Sequence, residues 1–402
     1  MTLTSVYSKA LDTIVEVGRI IGHIKGKQQG PTLIFMGGIH GNEPAGVIAL
    51  KRVVDYVKKQ HIRGNIYAIA GNLAALGKSQ RYIAEDLNRV WTRSRMERLP
   101  VEPDKAENQD VTEQIEINNI IQDILKKEEG PFYFFDIHTT SSETLPFLTV
   151  NDSLMNRYFT EQYPLPIILG IEEYLDGPIL SWINELGYVA FGFEAGQHDD
   201  MASVENAQAF ILLSMIYADA LDKDDIEWYK YHDLLAKTTG DIKNIYEIIY
   251  RHEVKEGDKF HMLPGFYNFQ KITKSQLLAR SNGQEITAPV DGRIFMPLYQ
   301  SKGEDGFFAI KKIWKPFLQL SAFIRKHRLD RVLAYLPGVK WMDEHKSCLL
   351  VNRHIARFMA KDIFHLFGFR SVQVDDHVYK MYNREAAARI AMYEREYWFE
   401  KQ

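Results

Sequence analysis

The chain has 402 residues, 49 basic and 53 acidic side chains, a formal net charge of −4 and 46% hydrophobic residues. That length exceeds the roughly 250–300 residues at which a single core stops growing, so two or three domains are expected. The slight acidity excludes a nucleic-acid binder held by bulk electrostatics, and the lone cysteine, Cys348, excludes an internal disulfide, a CxxC redox pair and a thiolate zinc site.

The first stretch, Met1–Gly18, carries Asp12 and Glu16 and lacks the basic start and apolar centre of a secretory leader. No run approaches the ~20 apolar residues of a membrane span, so a cytoplasmic protein without membrane contact is expected. Thr32–Met36 reads as a buried strand and Ala45–Lys59 as an amphipathic helix. Asn65–Ala70 is a second strand, Val111–Lys127 a helix, Phe132–His138 a third strand, Val189–Glu194 a fourth and Ser203–Leu221 a long helix. Residues 92–110, charged and holding two prolines, read as a surface loop. This alternation predicts an α/β domain with a mixed, largely parallel sheet flanked by helices, over residues 1–225.

After the polar break Asp222–Asp225 the segments become short: Ile245–Tyr250, Gln276–Ala279 and Gly292–Met296 stand between glycines and prolines. A small β-rich domain over 226–335 is expected. From 336 to 402 the stretches Asn352–Phe367 and Asn383–Phe399 read as amphipathic helices, predicting a helical C-terminal tail.

The first chemical signal is GGIHGNEPAG, residues 37–46, which places His40 and Glu43 just past a strand. Open α/β sheets keep their ligand sites at such strand ends. Imidazole and carboxylate suit zinc, and a catalytic zinc needs three protein ligands and an open position. His138, closing the strand of FFDIHTT, is the candidate third ligand. A lone loop histidine is ordinarily a surface or packing residue; two strand-end histidines with a glutamate between them form a pattern. Zinc hydrolysis also needs a carboxylate to move protons. Glu194 in AFGFEAG ends another apolar strand, beside the small Ala195 and Gly196. Its competing role is that of a carboxylate at a helix start. In SQRYIAEDLNRVW, residues 79–91, Arg81 and Arg89 bracket Asn88. One arginine suits a substrate carboxylate and another an oxyanion; the plainer alternative is a surface ion pair such as Arg89 with Asp86.

GGIHGNEPAG, QRYIAEDLNR, FFDIHTTSS and GFEAG, in this order, resemble the succinylglutamate desuccinylase and aspartoacylase family of zinc-carboxypeptidase-like amidohydrolases. LPGFYNFQKITKSQLLA and APVDGRIFMPLYQSKGEDGFF extend the resemblance over roughly residues 30–310. It implies a zinc-carboxypeptidase-like fold, one zinc per chain, and deacylation of a small N-acyl amino acid. On it His40, Glu43 and His138 fall on the metal ligands and Glu194 on the general base and acid. Arg81 falls on the carbonyl-polarising arginine, and Asn88 and Arg89 on the pair that holds the substrate carboxylate. Asp86 resembles a partner that orients a ligand imidazole. The β-rich domain would cap the site.

There are departures. In the aspartoacylase branch a basic residue stands about ten positions before the catalytic glutamate; here that position is Asn184. The same branch brings in a tyrosine near the equivalent of Gly306–Phe308, where this chain has none, Tyr299 being the nearest. ITAPVDGRIFMP is also similar to biotinyl and lipoyl carriers, but no lysine stands near Met296-Pro297 for attachment. His198 in EAGQHDD, near Glu194, has two readings, a pocket-lining residue and, first, an exposed loop residue. Two other functions use the same residues: a metallocarboxypeptidase acting on short or modified peptides, and a zinc-binding or inactive homologue that uses its β-rich domain and helical tail as an interaction surface. The acyl group, the amino acid and the oligomeric state, a homo-oligomer included, stay open.

Overall fold

The computed structural model describes residues 3–300, 302–352, 361–373 and 378–401. Its centre is one eleven-stranded mixed sheet. The strands are β1 (Ile20–Lys25), β2 (Gln28–Gly37), β3 (Arg63–Ala70), β4 (Phe132–Thr140), β5 (Phe147–Val150), β6 (Ile167–Leu169), β7 (Val189–Gln197), β8 (Ile245–Glu253), β9 (Lys271–Ile272), β10 (Gly292–Phe295) and β11 (Asp305–Lys312). Their spatial order is β9-β10-β11-β8-β6-β5-β7-β4-β2-β3-β1. β3, β2, β4 and β7 run parallel. β5 is antiparallel to β7.

β4 shows why the parallel centre forms. All nine of its residues are buried, as expected of a strand covered on both faces. Successive side chains point to opposite faces. Leu33, Phe35, Tyr133 and Phe135 therefore meet the helices α1 (Ala45–Val57) and α3 (Met201–Tyr217). Ile34, Met36, Phe132 and Phe134 meet α2 (Gln109–Lys127) and the helix Ile179–Glu185 on the other side. α2 and α3 start where the sequence supplies a cap: Asn108 accepts from Val111 N and Asp200 from Ala202 N.

The expected strands and helices of the first half are all present, and residues 92–110 are mostly loop with two short helical turns. Two features differ from expectation. The boundary near residue 225 does not divide the sheet: β8 lies parallel to β6, so the later strands extend the first sheet. Within 226–335, Phe260–Met262, Leu277–Ser281 and Gln284–Thr287 form a separate three-stranded sheet.

The tail also holds more than helices. It contains Lys361–Leu366 and Tyr397–Glu400 as helices. Its main unit is a four-stranded antiparallel sheet in the order Val339–Trp341, Cys348–Asn352, Val378–Asn383, Phe369–Gln373. Of the first stretch read as helical, 353–360 lies outside the described residues. The second, 383–399, is mostly turns. Its apolar residues are spaced by tertiary contact, not by a helix face. Tyr393 and Trp398 enter the core against β4, where Trp398 Nε1 donates to Tyr133 OH at 3.1 Å and Val189 N donates to Tyr393 OH at 3.1 Å.

A buried ion-pair network joins the tail to the loops after β5 and β6. Asp152 faces Arg157 and Arg325, whose guanidinium also pairs with Glu385. Arg384 pairs with Glu172 at 2.9 Å and with Glu173. Burial opposes ionisation of Asp152, yet the three surrounding arginines hold its carboxyl well below the usual carboxylate range. Removing one partner of such a network leaves a buried charge unpaired. Arg384→Met is therefore expected to lower the unfolding free energy by about 3–5 kcal/mol. Lys58→Ala at the exposed Lys58–Asp55 pair, 57% and 63% exposed, should change it by under about 0.5 kcal/mol. Urea unfolding of both variants checks this, and equal effects would contradict the network's role.

Candidate active site and metal centre

The carboxyl ends of β2, β3, β4 and β7 share one edge of the sheet. The loop after β2 turns sharply: Gly38 takes φ +75°, and a β-carbon at Gly41 would collide with the Ala75 carbonyl. That turn returns His40 and Glu43 over the end of β4. His40, Glu43 and His138 are all buried, and their ligand atoms lie within 4.8 Å of one another.

Glu43 sits between the two rings. His40 Nδ1 is 2.8 Å from its Oε1, and His138 Nδ1 is 3.1 Å from its Oε2. Thr139 N also donates to Oε2, at 2.9 Å. Burial opposes ionisation of Glu43, but His40 and His138 hold its carboxyl well below the usual range. The far nitrogens are also occupied. His40 Nε2 meets Asp86 at 3.1 Å and His138 Nε2 meets Asp136 at 2.6 Å. A carboxylate on Nε2 holds the proton there and turns the Nδ1 lone pair inward, as ligand histidines require. Two imidazole nitrogens and one carboxylate, converging and oriented from behind, fit a divalent ion of the zinc type with an open position.

Glu194 faces this group from β7. It stands directly opposite His138 in the parallel register of β4 and β7. Its Oε2 is buried with no hydrogen-bond partner. Burial pushes its pKa up to about 8, with Glu43 and Asp136 adding to the rise and His138 and Arg81 opposing it. An orphaned buried carboxylate oxygen beside a metal-type cluster is the arrangement of a proton-transfer group.

The stretch 81–89 arches over the same edge. Arg81 Nε and Nη2 donate to Asp86 Oδ2 at 3.1 and 3.0 Å, while Nη1 lies 3.6 Å from Glu43 Oε1. Asp86 therefore holds both His40 and Arg81. Asn88 uses its side-chain oxygen to accept from Ile179 N at 3.1 Å. Arg89 pairs with Asp305 of β11 at 3.2 Å, not with Asp86. His40, Glu43, Arg81, Asn88, Arg89, His138 and Glu194 all line one cavity of about 390 Å³. Met296, Pro297 and Leu298, after β10, form part of its wall.

The structure also places His198, Asn184 and Tyr299. His198 is half-buried and lines the cavity, 2.7 Å from Thr139 Oγ1 through Nδ1. Burial lowers its pKa. Asn184 does not line the cavity; its Nδ2 donates to the carbonyls of Tyr188 and Ala190. Tyr299 spends its hydroxyl within the β-rich region, donating to Leu263 O at 2.7 Å and accepting from Phe266 N. Sequence reasoning missed Asp136 and Asp305. Asp136 carried a signal, since a residue two before His138 on a strand shares its face.

These features make up a His–Glu–His group that could hold a metal ion, at the carboxyl edge of a mixed α/β sheet. A profile of the succinylglutamate desuccinylase/aspartoacylase catalytic domain matches residues 29–202. The succinylglutamate desuccinylase of Pseudoalteromonas atlantica is 24% identical over 281 residues, 65% of this chain and 75% of that enzyme. The fold is shared with the succinylglutamate desuccinylase/aspartoacylase structure from Rhodobacter sphaeroides, at TM-score 0.54 and 15% identity over 78% of this chain and 94% of that one. It is also shared with the Vibrio parahaemolyticus succinylglutamate desuccinylase, at 0.53 and 13% over 76% and 95%. Residues 29–202 thus match a succinylglutamate desuccinylase/aspartoacylase catalytic domain, and the fold around them is one that such proteins share.

The orienting carboxylates give a direct test. Asp136→Asn keeps the shape of the side chain and weakens its hold on His138, so affinity for zinc should fall about 10–100-fold. Titration against a chromophoric chelator measures it; unchanged affinity would contradict the reading of Asp136 as the group that orients His138.

Proposed function

We propose that this chain is a zinc-dependent amidohydrolase that removes the acyl group from a small N-acyl amino acid. The observation that carries the reading is the unpartnered Oε2 of Glu194, held in register with His138 beside the His40–Glu43–His138 cluster. The match of residues 29–202 to the succinylglutamate desuccinylase/aspartoacylase catalytic domain supports the deacylase class.

His40, Glu43 and His138 would hold one zinc ion. Bound there, zinc supplies Lewis acidity at the scissile carbonyl and lowers the pKa of water to about 7. Glu194 takes the proton of the attacking water on its free oxygen and returns it to the leaving nitrogen. Arg81, aimed at the cluster through Nη1 and fixed by Asp86, stabilises the oxyanion. Arg89 and the side-chain nitrogen of Asn88 hold the substrate carboxylate. The single cysteine fits a cytoplasmic setting. No described helix is long and apolar enough to cross a membrane.

A carboxypeptidase would use the same groups. The cavity volume of about 390 Å³ favours the smaller substrate, since it lies at the low end of the roughly 300–1,000 Å³ of small-molecule sites.

Glu194→Gln should keep about one zinc per chain and lose about 10²–10⁴-fold in kcat. Arg89→Ala should act chiefly on KM. Metal analysis and steady-state hydrolysis of N-acyl amino acids check both, and near-normal turnover by Glu194→Gln would remove Glu194 from the mechanism.

A further inference from the structure

From the surface around the helix Lys315–Lys326 we infer that this chain docks reversibly on an anionic lipid bilayer, with that helix lying along the bilayer surface. The helix follows β11 and carries Pro316 in its first turn, where proline suits a helix start. Its inward face is ordinary: Ser321 and Arg325 are buried, and Leu318 and Ala322 pack on the core. Its outward face is apolar as well. Trp314, just before it, and Phe317, Leu320 and Phe323 along it are 73%, 38%, 49% and 56% exposed. At about 100° per residue, Phe317, Leu320 and Phe323 span about 120° of the helix circumference, the width of a stripe that normally faces a core. With Leu329, Val332, Tyr335 and Leu336 next in the chain, this is the densest run of exposed large apolar side chains among the described residues. Such residues scattered singly need no partner, whereas a concentration of them marks an interaction surface.

The charge around the stripe selects the partner. Residues 311–331 carry seven lysines and arginines and one acid, Asp330, a local net charge of +6 in a chain whose total is −4. Neighbouring acids offset part of it. Arg325 turns inward to Asp152 and Glu385. Glu247 stands opposite Lys311 across β8 and β11, and Glu161 feels the charge of Lys315. Glu173, beneath the helix, is paired with Arg384. Lys312, Arg328 and Arg331 remain exposed beside Lys326 at the helix end, so the surface stays basic. Rings and leucine flanked by long cationic side chains fit the boundary between phosphate headgroups and acyl chains: the apolar groups enter it, and the cations reach the phosphates. A protruding helix face also suits a flat, deformable acceptor, whereas a protein partner has to offer it a matching groove.

The surface lies away from the substrate cavity. Asp305 and Phe308 of β11 line the cavity, and the helix begins beyond the far end of that strand. The strand sets Asp305 and Lys312 roughly 23 Å apart. Docking through the helix therefore leaves the cavity open to a substrate dissolved in water. The expectation of no membrane contact rested on the lack of a spanning run, which a helix lying on a surface does not need.

The test is sedimentation of the full chain with vesicles of phosphatidylcholine alone and with vesicles that also hold about 30% phosphatidylglycerol. Partitioning to the anionic vesicles should exceed that to the neutral ones by at least about tenfold, and salt of about 0.5 M should remove most of the difference. The double variant Leu320→Ser, Phe323→Ser should lower anionic partitioning at least about tenfold, and so should Lys312→Glu, Lys315→Glu. All four positions are exposed, so the thermal unfolding midpoint should stay at the wild-type value in both. No binding to anionic vesicles overturns the inference, and so does equal binding to both kinds. Binding that either double variant leaves unchanged overturns the assignment to this helix. A wild-type dimer that binds no vesicle and that Leu320→Ser, Phe323→Ser splits, read by light scattering, gives the face to a second copy of the chain and overturns the bilayer as its partner.

Discussion

The site is organised by one carboxylate. Glu43 reaches Nδ1 of both His40 and His138 and is pinned by the Thr139 amide. Its burial would disfavour the charge if the two rings were not there. That constraint sets the rest: the Gly38 turn brings the loop back, and Asp86 and Asp136 approach the rings from outside. Glu194 is then left in the space opposite, with an oxygen that no described residue satisfies. A buried carboxylate in that condition is costly for folding, and the cost makes sense where proton transfer needs a poised acid or base.

The same logic of paired charges runs between the tail and the segments it packs on. Arg325 and Arg384 are fully or almost fully buried, with side-chain exposures of 0% and 8%. They serve acidic residues from loops that wall the cavity. Tyr393 and Trp398 meanwhile pack into the core beneath β4. The tail is thus continuous with the catalytic unit in packing and in electrostatics.

Much of this was legible from the chain alone. The parallel core announces itself through continuous apolar runs such as FYFF ahead of Asp136, because strands covered on both faces have no polar side. His40, Glu43, His138 and Glu194 stand at strand ends, where an open sheet keeps its ligands, and the structure brings all four together. The tail was less legible. Residues such as Tyr393 and Trp398 mimic a helical period, yet each answers to a separate contact with a distant strand. The partner of Arg89 was hidden for the same reason: Asp305 lies 216 positions away, and local spacing pointed to Asp86 instead. His198 looked exposed because the turn that brings it over Thr139 depends on the β7 bulge opposite Thr140.

The most direct measurement is zinc K-edge X-ray absorption on the zinc-loaded protein and on His138→Ala. The account predicts two imidazole nitrogens and carboxylate or water oxygens at about 2.0–2.2 Å in the wild type, with one imidazole lost in the variant. A shell without imidazole, or one that His138→Ala leaves unchanged, would contradict the claim that Glu43 and its two histidines form the metal centre.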